Sequence, residues 1–219
     1  MSDQHRHPSL EILGDYAAGG LPEPVALALA VHLSSCSACR IAVQRLETIG
    51  GVVLDDVPPA ALDTEAALDR ALSNLGDAEP PELPSEKSDF PNALLRRVPG
   101  DLAKLPWRRV ARGVAEFALD TYEAGYRAKL LRIQPGASVP RHTHRGEEYT
   151  VVLAGAFNDS DVVYEKGDFA EADPSLHHQP IASDGEVCYC LAVTNAPLKL
   201  LSPIGRLMDP LLRLRTQHQ

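Results

Sequence analysis

The stretch His32-Leu-Ser-Ser-Cys36-Ser-Ala-Cys39 places one imidazole and two thiols close together in an Ala- and Leu-rich segment. In one continuous helix the three side chains would share a face, because positions i, i+4 and i+7 lie above one another. A helix break at Ser34-Ser35 would instead put Cys36 and Cys39 in a knuckle at the start of the next helix. Both geometries predict a zinc site, since Zn²⁺ prefers such ligands in tetrahedral sets of four.

The fourth ligand must come from elsewhere, and the N-terminal segment offers two histidines. We expect His7 to fill this place because of its spacing to the helix around Tyr16, and His5 is the alternative. The helices of this part are short and contain few large apolar side chains, so a unit of this size is marginal without a staple. A structural zinc would stabilise it, because its binding free energy adds to the free energy of folding.

Length and cysteine usage limit the class of protein. The chain has 219 residues, 44% of them hydrophobic, which is enough for two domains. No apolar run approaches the roughly 20 residues that cross a bilayer, and the first residues contain no apolar signal core. We therefore expect a cytoplasmic protein. The close pairs Cys36/Cys39 and Cys188/Cys190 then indicate metal or redox chemistry rather than structural disulfides.

The net charge of −9 is unevenly distributed. Residues 1–89 contain 15 Asp or Glu and 5 Lys or Arg, a net charge of −10, whereas residues 90–219 contain 15 and 16, a net charge of +1. The first part should repel nucleic acid and attract basic protein surfaces. A solvated acidic helical domain without such a partner is the simpler interpretation of the charge alone.

The sequence predicts an all-α domain followed by an all-β domain. Helical periodicity extends over residues 1–76, with a third helix expected to end at Gly50-Gly51. Residues 77–104 form an acidic, Pro-rich linker. Short β-prone segments separated by turn signals over residues 105–196 predict a β-sandwich or barrel. Residues 197–219 form an apolar tail that we expect to pack against a domain.

A second constellation lies in the β-prone part. His142 and His144 are two residues apart and would share a strand face, and the turn signal Arg145-Gly146 would bring Glu148 beside them. His178 on a later strand completes the set, and we prefer it to the adjacent His177. Three imidazoles and a carboxylate suit a divalent transition metal, with Zn²⁺, Fe²⁺, Mn²⁺ and Ni²⁺ as candidates.

The spacing of this constellation resembles that of the cupin family. Its first motif is matched by Gly136, the His142-x-His144 pair, Glu148 and Gly155, and its second motif is matched loosely by Gly167-Asp168, Pro174 and His178. The resemblance implies a jelly-roll barrel that holds the metal through His142, His144, Glu148 and His178.

The two halves together resemble the ChrR family of anti-sigma factors, in which a zinc-binding anti-sigma domain precedes a cupin-like domain. The resemblance implies one zinc on His7, His32, Cys36 and Cys39 and a second on the cupin ligands. It also implies that the first domain binds an extracytoplasmic-function sigma factor. The second domain would be needed to sense singlet oxygen or organic hydroperoxides, after which the sigma factor is released.

Other interpretations remain open from the residues. A three-His, one-Glu site with an open position and iron would suit a cupin dioxygenase or hydrolase that has a helical zinc-binding appendage. Cycling of Cys36 and Cys39 to a disulfide would suit a redox chaperone or scaffold. Cys188 and Cys190 are candidates for oxidant sensing, although free cysteines are often buried and inert. A regulator with no catalytic residues is the interpretation we prefer.

Overall fold

The computed structural model describes residues 6–61, 63–74, 91–95, 97–98, 104–120 and 125–201. His5, residues 77–90, 96 and 99–103 of the predicted linker, and residues 202–219 of the predicted tail lie outside the described part. Across the described residues, no helix has the length and apolar character needed to span a bilayer.

Helices form the first part of the described chain. They are α1 (Leu10–Ala17), α2 (Glu23–Ser35), α3 (Ser37–Asp55), α4 (Thr64–Ser73) and α5 (Asn92–Leu95). Side chains cap three of them: Ser9 accepts a hydrogen bond from the Ile12 N–H, Asp63 accepts one from the Ala66 N–H, and Cys36 accepts one from the Cys39 N–H. Such caps satisfy backbone donors that have no partner inside the helix.

The stretch from His32 to Cys39, which contains three candidate zinc ligands, is not one continuous helix. Cys36 has extended backbone angles, φ −98° and ψ 106°, and it separates α2 from α3. Its Sγ accepts a hydrogen bond of 3.3 Å from the Cys39 N–H and so caps α3. Of the two geometries that the sequence allows, the chain therefore adopts the knuckle.

The prediction that Gly50-Gly51 ends the third helix is wrong, because α3 continues to Asp55. Glycine ends a helix when it adopts a left-handed conformation, and neither Gly50 nor Gly51 has a positive φ. A glycine inside a helix costs only about 1 kcal/mol relative to alanine, which does not by itself stop the helix. The extension leaves Val52, Val53 and Leu54 exposed.

Short antiparallel strands form the second part of the described chain. They are β1 (Arg108–Ala111), β2 (Val114–Leu119), β3 (Arg127–Ile133), β4 (His142–Thr143), β5 (Glu148–Ala154), β6 (Ala156–Asp159), β7 (Val162–Glu165), β8 (Phe169–Ala172), β9 (His177–His178), β10 (Ile181–Ala182), β11 (Cys188–Thr194) and β12 (Lys199–Leu200). The large sheet has the order β1-β2-β3-β11-β5-β8, and two smaller sheets have the orders β10-β6-β7 and β12-β4-β9. The predicted order, an all-α part followed by an all-β part, is confirmed.

Strand alternation gives the large sheet two different buried faces. On β5, Val151 and Leu153 belong to a core shared with the helices, whereas Val152 belongs to a core with Phe157 of the β10-β6-β7 sheet. Alternate residues of a strand point to opposite faces, so both faces of the sheet are covered. Glu148, which has the parity of Val152, therefore points into the β domain.

The helical part shares its core with the β domain. Val25 and Leu29 of α2 are buried in the same cluster as Leu191 of β11, and α2 packs against β5 and β11. Within the stretch predicted as linker, α5 contributes Leu94, whose side chain is fully buried in this cluster. Arg97 adds an ion pair of 2.5 Å with Glu23 of α2. The helices are thus stabilised by the sheet as well as by their own contacts.

Gly155 at the β5–β6 junction provides a test of this packing. It has φ +68°, and a Cβ there would lie 2.7 Å from the Val187 carbonyl oxygen. Gly136 has nearly the same φ, +69°, but its Cβ would meet nothing closer than 3.6 Å. Gly136→Ala should cost about 1–2 kcal/mol of stability through backbone strain alone. We expect Gly155→Ala to cost more, because a backbone clash adds to that strain. Urea unfolding of both variants measures the difference, and equal losses would show that the contact is unimportant.

Candidate metal centres

Four side chains of the helical part converge in the first cluster. His7, His32, Cys36 and Cys39 each offer a ligand atom, and these atoms all lie within 4.8 Å of one another. His32 comes from the end of α2 and the cysteines from the start of α3, whereas His7 lies in the segment before α1. The His32, Cys36 and Cys39 side chains are buried and His7 is exposed. The cluster is therefore accessible from the His7 side.

The interatomic distances in the first cluster suit a tetrahedral zinc. The His7 Nδ1 atom lies 3.4 Å from the Cys36 Sγ and 3.3 Å from the Cys39 Sγ. A nitrogen and a sulfur bound to one tetrahedral Zn²⁺ are about 3.6 Å apart. The sulfur atoms also lie at the N-terminus of α3, where backbone N–H groups favour negative charge.

His32 is oriented by the β domain. Its Nδ1 lies 2.6 Å from the Gly167 carbonyl oxygen, and because a carbonyl can only accept, the Nδ1–H donates. The Nε2 atom then remains available as a ligand. Metal-binding histidines commonly donate their second ring N–H to such an acceptor, which fixes the tautomer and the ring orientation.

The second cluster lies inside the β domain. His142 is on β4, His144 follows it, Glu148 begins β5 and His178 is on β9; their ligand atoms again lie within 4.8 Å of one another. The three imidazoles are buried and Glu148 is half-buried. His177 is exposed, so strand alternation separates it from the cluster as the sequence predicts.

The hydrogen bonds of the imidazoles in the second cluster leave their lone pairs facing one another. The Nδ1–H of His142 donates to the Pro140 carbonyl over 2.8 Å, and that of His178 donates to the Asp159 carboxylate over 2.5 Å. Their Nε2 atoms then carry lone pairs, yet they lie only 3.0 Å apart. A cation between them relieves this repulsion. Two nitrogens on one tetrahedral Zn²⁺ are about 3.3 Å apart, so a metal fits.

Burial also disfavours protonation of two of these imidazoles. Burial lowers the pKa of His142 from 6.5 to about 4, and burial together with the charge of His178 lowers the pKa of His144 to about 4. Both imidazoles are therefore neutral at pH 7, as a metal ligand has to be. The donor set of three nitrogens and one carboxylate accepts several divalent transition metals.

Asp159 is a contributor that sequence reasoning missed. It ends β6, its Oδ2 accepts the His178 Nδ1–H, and its Oδ1 is buried with no hydrogen-bond partner among the described residues. Nothing in its spacing from His178 distinguishes it in the sequence. The roles of the Gly167 and Pro140 carbonyls could not be predicted from the sequence, because every residue has a backbone carbonyl whatever its type.

Cys188 and Cys190 lie on the inward face of β11. Both are fully buried, and their Sγ atoms are 3.6 Å apart. A hydrogen bond with Cys188, together with burial, raises the pKa of Cys190 well above its usual value. Because the thiolate is the reactive form, this environment favours the interpretation of two buried thiols over that of a reactive redox pair.

The fold and the two ligand clusters define a two-domain protein with a zinc-finger-like helical part and a cupin-like β part. Comparisons with known families agree: residues 96–197 match the ChrR cupin-like domain and residues 9–40 match a zinc-finger family. The chain is 37% identical to the anti-sigma-E factor ChrR of Cereibacter sphaeroides over 95% of its own length and 98% of the relative's. It therefore belongs to the ChrR family of anti-sigma factors.

A solved structure agrees over most of the chain. The crystal structure of Rhodobacter sphaeroides SigE in complex with the anti-sigma ChrR matches with a TM-score of 0.72 and 38% identity, over 86% of this chain and 98% of that one. Both similar proteins are named as regulators of a sigma factor. The prediction of a regulatory protein rather than an enzyme is thereby confirmed, and neither comparison supports the dioxygenase or hydrolase interpretation.

Removing the charged acceptor of His178 should weaken the second site selectively. Asp159→Asn keeps the side-chain shape but loses the carboxylate, and such partners of a metal ligand are worth about 10- to 100-fold in metal affinity. Titration of the metal-free chain with Co²⁺ measures the change. Asp161→Asn, an exposed carboxylate two residues away, is the control. Equal affinity in both variants would exclude the role of Asp159.

Proposed function

We propose that this chain sequesters an extracytoplasmic-function sigma factor in the cytoplasm and releases it under oxidative stress, by singlet oxygen or organic hydroperoxide. The observation that carries the proposal is the similarity over 98% of the ChrR chain that was crystallised with SigE. Zinc on His7, His32, Cys36 and Cys39 holds the helical part in its binding conformation. Zinc or another divalent metal on His142, His144, Glu148 and His178 serves the sensory part.

Exposed apolar side chains on α3 and α4 support a protein partner. The far end of α3 and the residue Val57 just beyond it leave large apolar side chains exposed, and no residue of α4 is buried. Apolar patches of this kind mark protein interaction surfaces. The exposed members, each at least 55% accessible, are Ile49, Val52, Val53, Leu54, Val57, Leu68 and Leu72.

The charge of the same part supports the choice of partner. Residues 1–89 have a net charge of −10, and a sigma factor presents basic surfaces to DNA. Opposite charge speeds association and occupies groups that would otherwise contact phosphate. An apolar face in an acidic domain therefore suits a basic protein better than nucleic acid itself.

Val53 tests the proposed binding face. Val53→Asp should weaken binding of the cognate sigma factor by at least about tenfold, because a charge would have to be buried in an apolar contact. The side chain is 63% exposed, so the stability of the free chain should not change. Calorimetric titration of the purified proteins measures the affinity. Val163→Asp, on the surface of the β domain, is the matched control; equal affinities for the two variants would exclude this face.

The two clusters should have separable effects. Cys39→Ala removes a ligand of the first cluster and should leave the sigma factor constitutively active, because the helical part loses its metal. His142→Ala should leave inhibition intact and weaken the response to singlet oxygen or hydroperoxide. A sigma-dependent reporter with and without oxidant measures both effects. If the two changes impair basal inhibition equally, the division of roles is wrong.

A further inference from the structure

Arg6, which directly precedes His7, is attached to an edge strand of the β domain. The Arg6 N–H donates to the Asp168 Oδ1 over 3.0 Å, and the Arg6 carbonyl accepts from the Phe169 N–H over 3.0 Å. Phe169 begins β8, which lies at the edge of the large sheet. These two hydrogen bonds attach Arg6 to this edge of the sheet. His7 follows directly and takes its position from this attachment.

The turn that leads into β8 also holds His32. The carbonyl that accepts from the His32 Nδ1–H belongs to Gly167, and the Phe169 ring meets the His32 ring edge to face with centroids 5.8 Å apart. Two of the four ligands of the first cluster are thus positioned by the three consecutive residues 167–169, which belong to the other domain.

Asp168 joins this turn to the N-terminal segment. Its side chain is 3% exposed, with Oδ1 accepting from the Arg6 N–H and Oδ2 accepting from the Glu165 N–H over 2.8 Å. A buried carboxylate is tolerated only where donors compensate its lost hydration. These two donors help to compensate the burial of Asp168, and through them its carboxylate ties the backbone of the turn to Arg6.

The strand that follows this turn leads towards the second cluster. Ala172 at the end of β8 pairs with Glu148 of β5, and β9, which carries His178, begins five residues later. One short strand therefore has contacts to the first cluster at its start and a ligand of the second cluster as its partner at its end.

We propose that residues 167–169 of the β domain are a structural part of the first metal site. Asp168 and the two neighbouring backbone groups position His7 and His32, and metal retention in the helical part therefore depends on where β8 lies. The proposal rests on the proposed function only in requiring that the first cluster binds zinc.

Cobalt provides a readout that is specific for this site. In full-length protein loaded with Co²⁺, a sulfur-to-cobalt charge-transfer band reports the first cluster, since the members of the second cluster include no thiol. The decay of this band after addition of EDTA gives the release rate. Asp168→Asn replaces one acceptor with an amide N–H that faces a donor, and release should be about 10- to 100-fold faster. Asp161→Asn, an exposed carboxylate in the preceding turn, should release metal at the wild-type rate.

A second pair of variants leaves the β domain unchanged. Arg6→Pro removes the N–H that donates to Asp168, whereas Arg6→Ala removes the side chain and its charge but keeps that N–H. Faster release from Arg6→Pro than from Arg6→Ala would support the proposal even if Asp168→Asn unfolded the turn.

The outcomes separate this inference from the proposed function. Release at the wild-type rate from both Asp168→Asn and Arg6→Pro, in protein that binds metal at the first cluster, would overturn the inference and leave the proposed function standing. Full-length protein that binds neither Co²⁺ nor Zn²⁺ at that cluster would overturn both.

Discussion

The packing of α2 against the outer face of the β5–β11 strand pair is the contact on which the arrangement of both metal centres depends. Val25 and Leu29 fix the helix on the sheet, and its last turn then brings His32 to the Gly167 carbonyl. The opposite face of the same sheet carries Glu148 of the second cluster. Because side chains alternate across a strand, one sheet separates the two centres and contacts both of them.

Local spacing explains why the ligand sets could be predicted from the sequence. His32, Cys36 and Cys39 lie within one helix junction, so their approach depends on few backbone angles. The His142-x-His144 pair is fixed in the same way by the strand period. His7 and His178 are separated from their partners in sequence; His7 is predicted from its spacing to the helix around Tyr16, and His178 from its spacing to Gly167 in the cupin motif. The structure brings all of the expected ligands together, while their occupancy by metal remains a prediction.

The features that could not be predicted depend on tertiary packing. Helix α3 continues through Gly50-Gly51 because each glycine costs a helix only about 1 kcal/mol, a penalty too small to end the helix. The residues alone do not show whether such a small penalty ends a helix. Leu94 is buried against α2 although it lies in a stretch whose composition indicates a linker. Asp159 reaches His178 because β6 lies close to β9, and no local sequence pattern predicts that proximity. Sequence periodicity likewise cannot predict that the helical part and the β domain share one core.

The two ligand sets differ in the chemistry that they make available. The first contains two thiols at a helix start and an exposed imidazole, so its metal is open to competing ligands and its sulfur atoms can be oxidised. The second contains buried imidazoles and one carboxylate, a set without sulfur that tolerates several metals. A change of metal or ligand geometry there would act on β5 and β9, which carry ligands of this set, and β8 lies between them in sequence and beside β5 in the sheet. Since β8 begins at the turn that holds His32, the two centres are connected through one short strand.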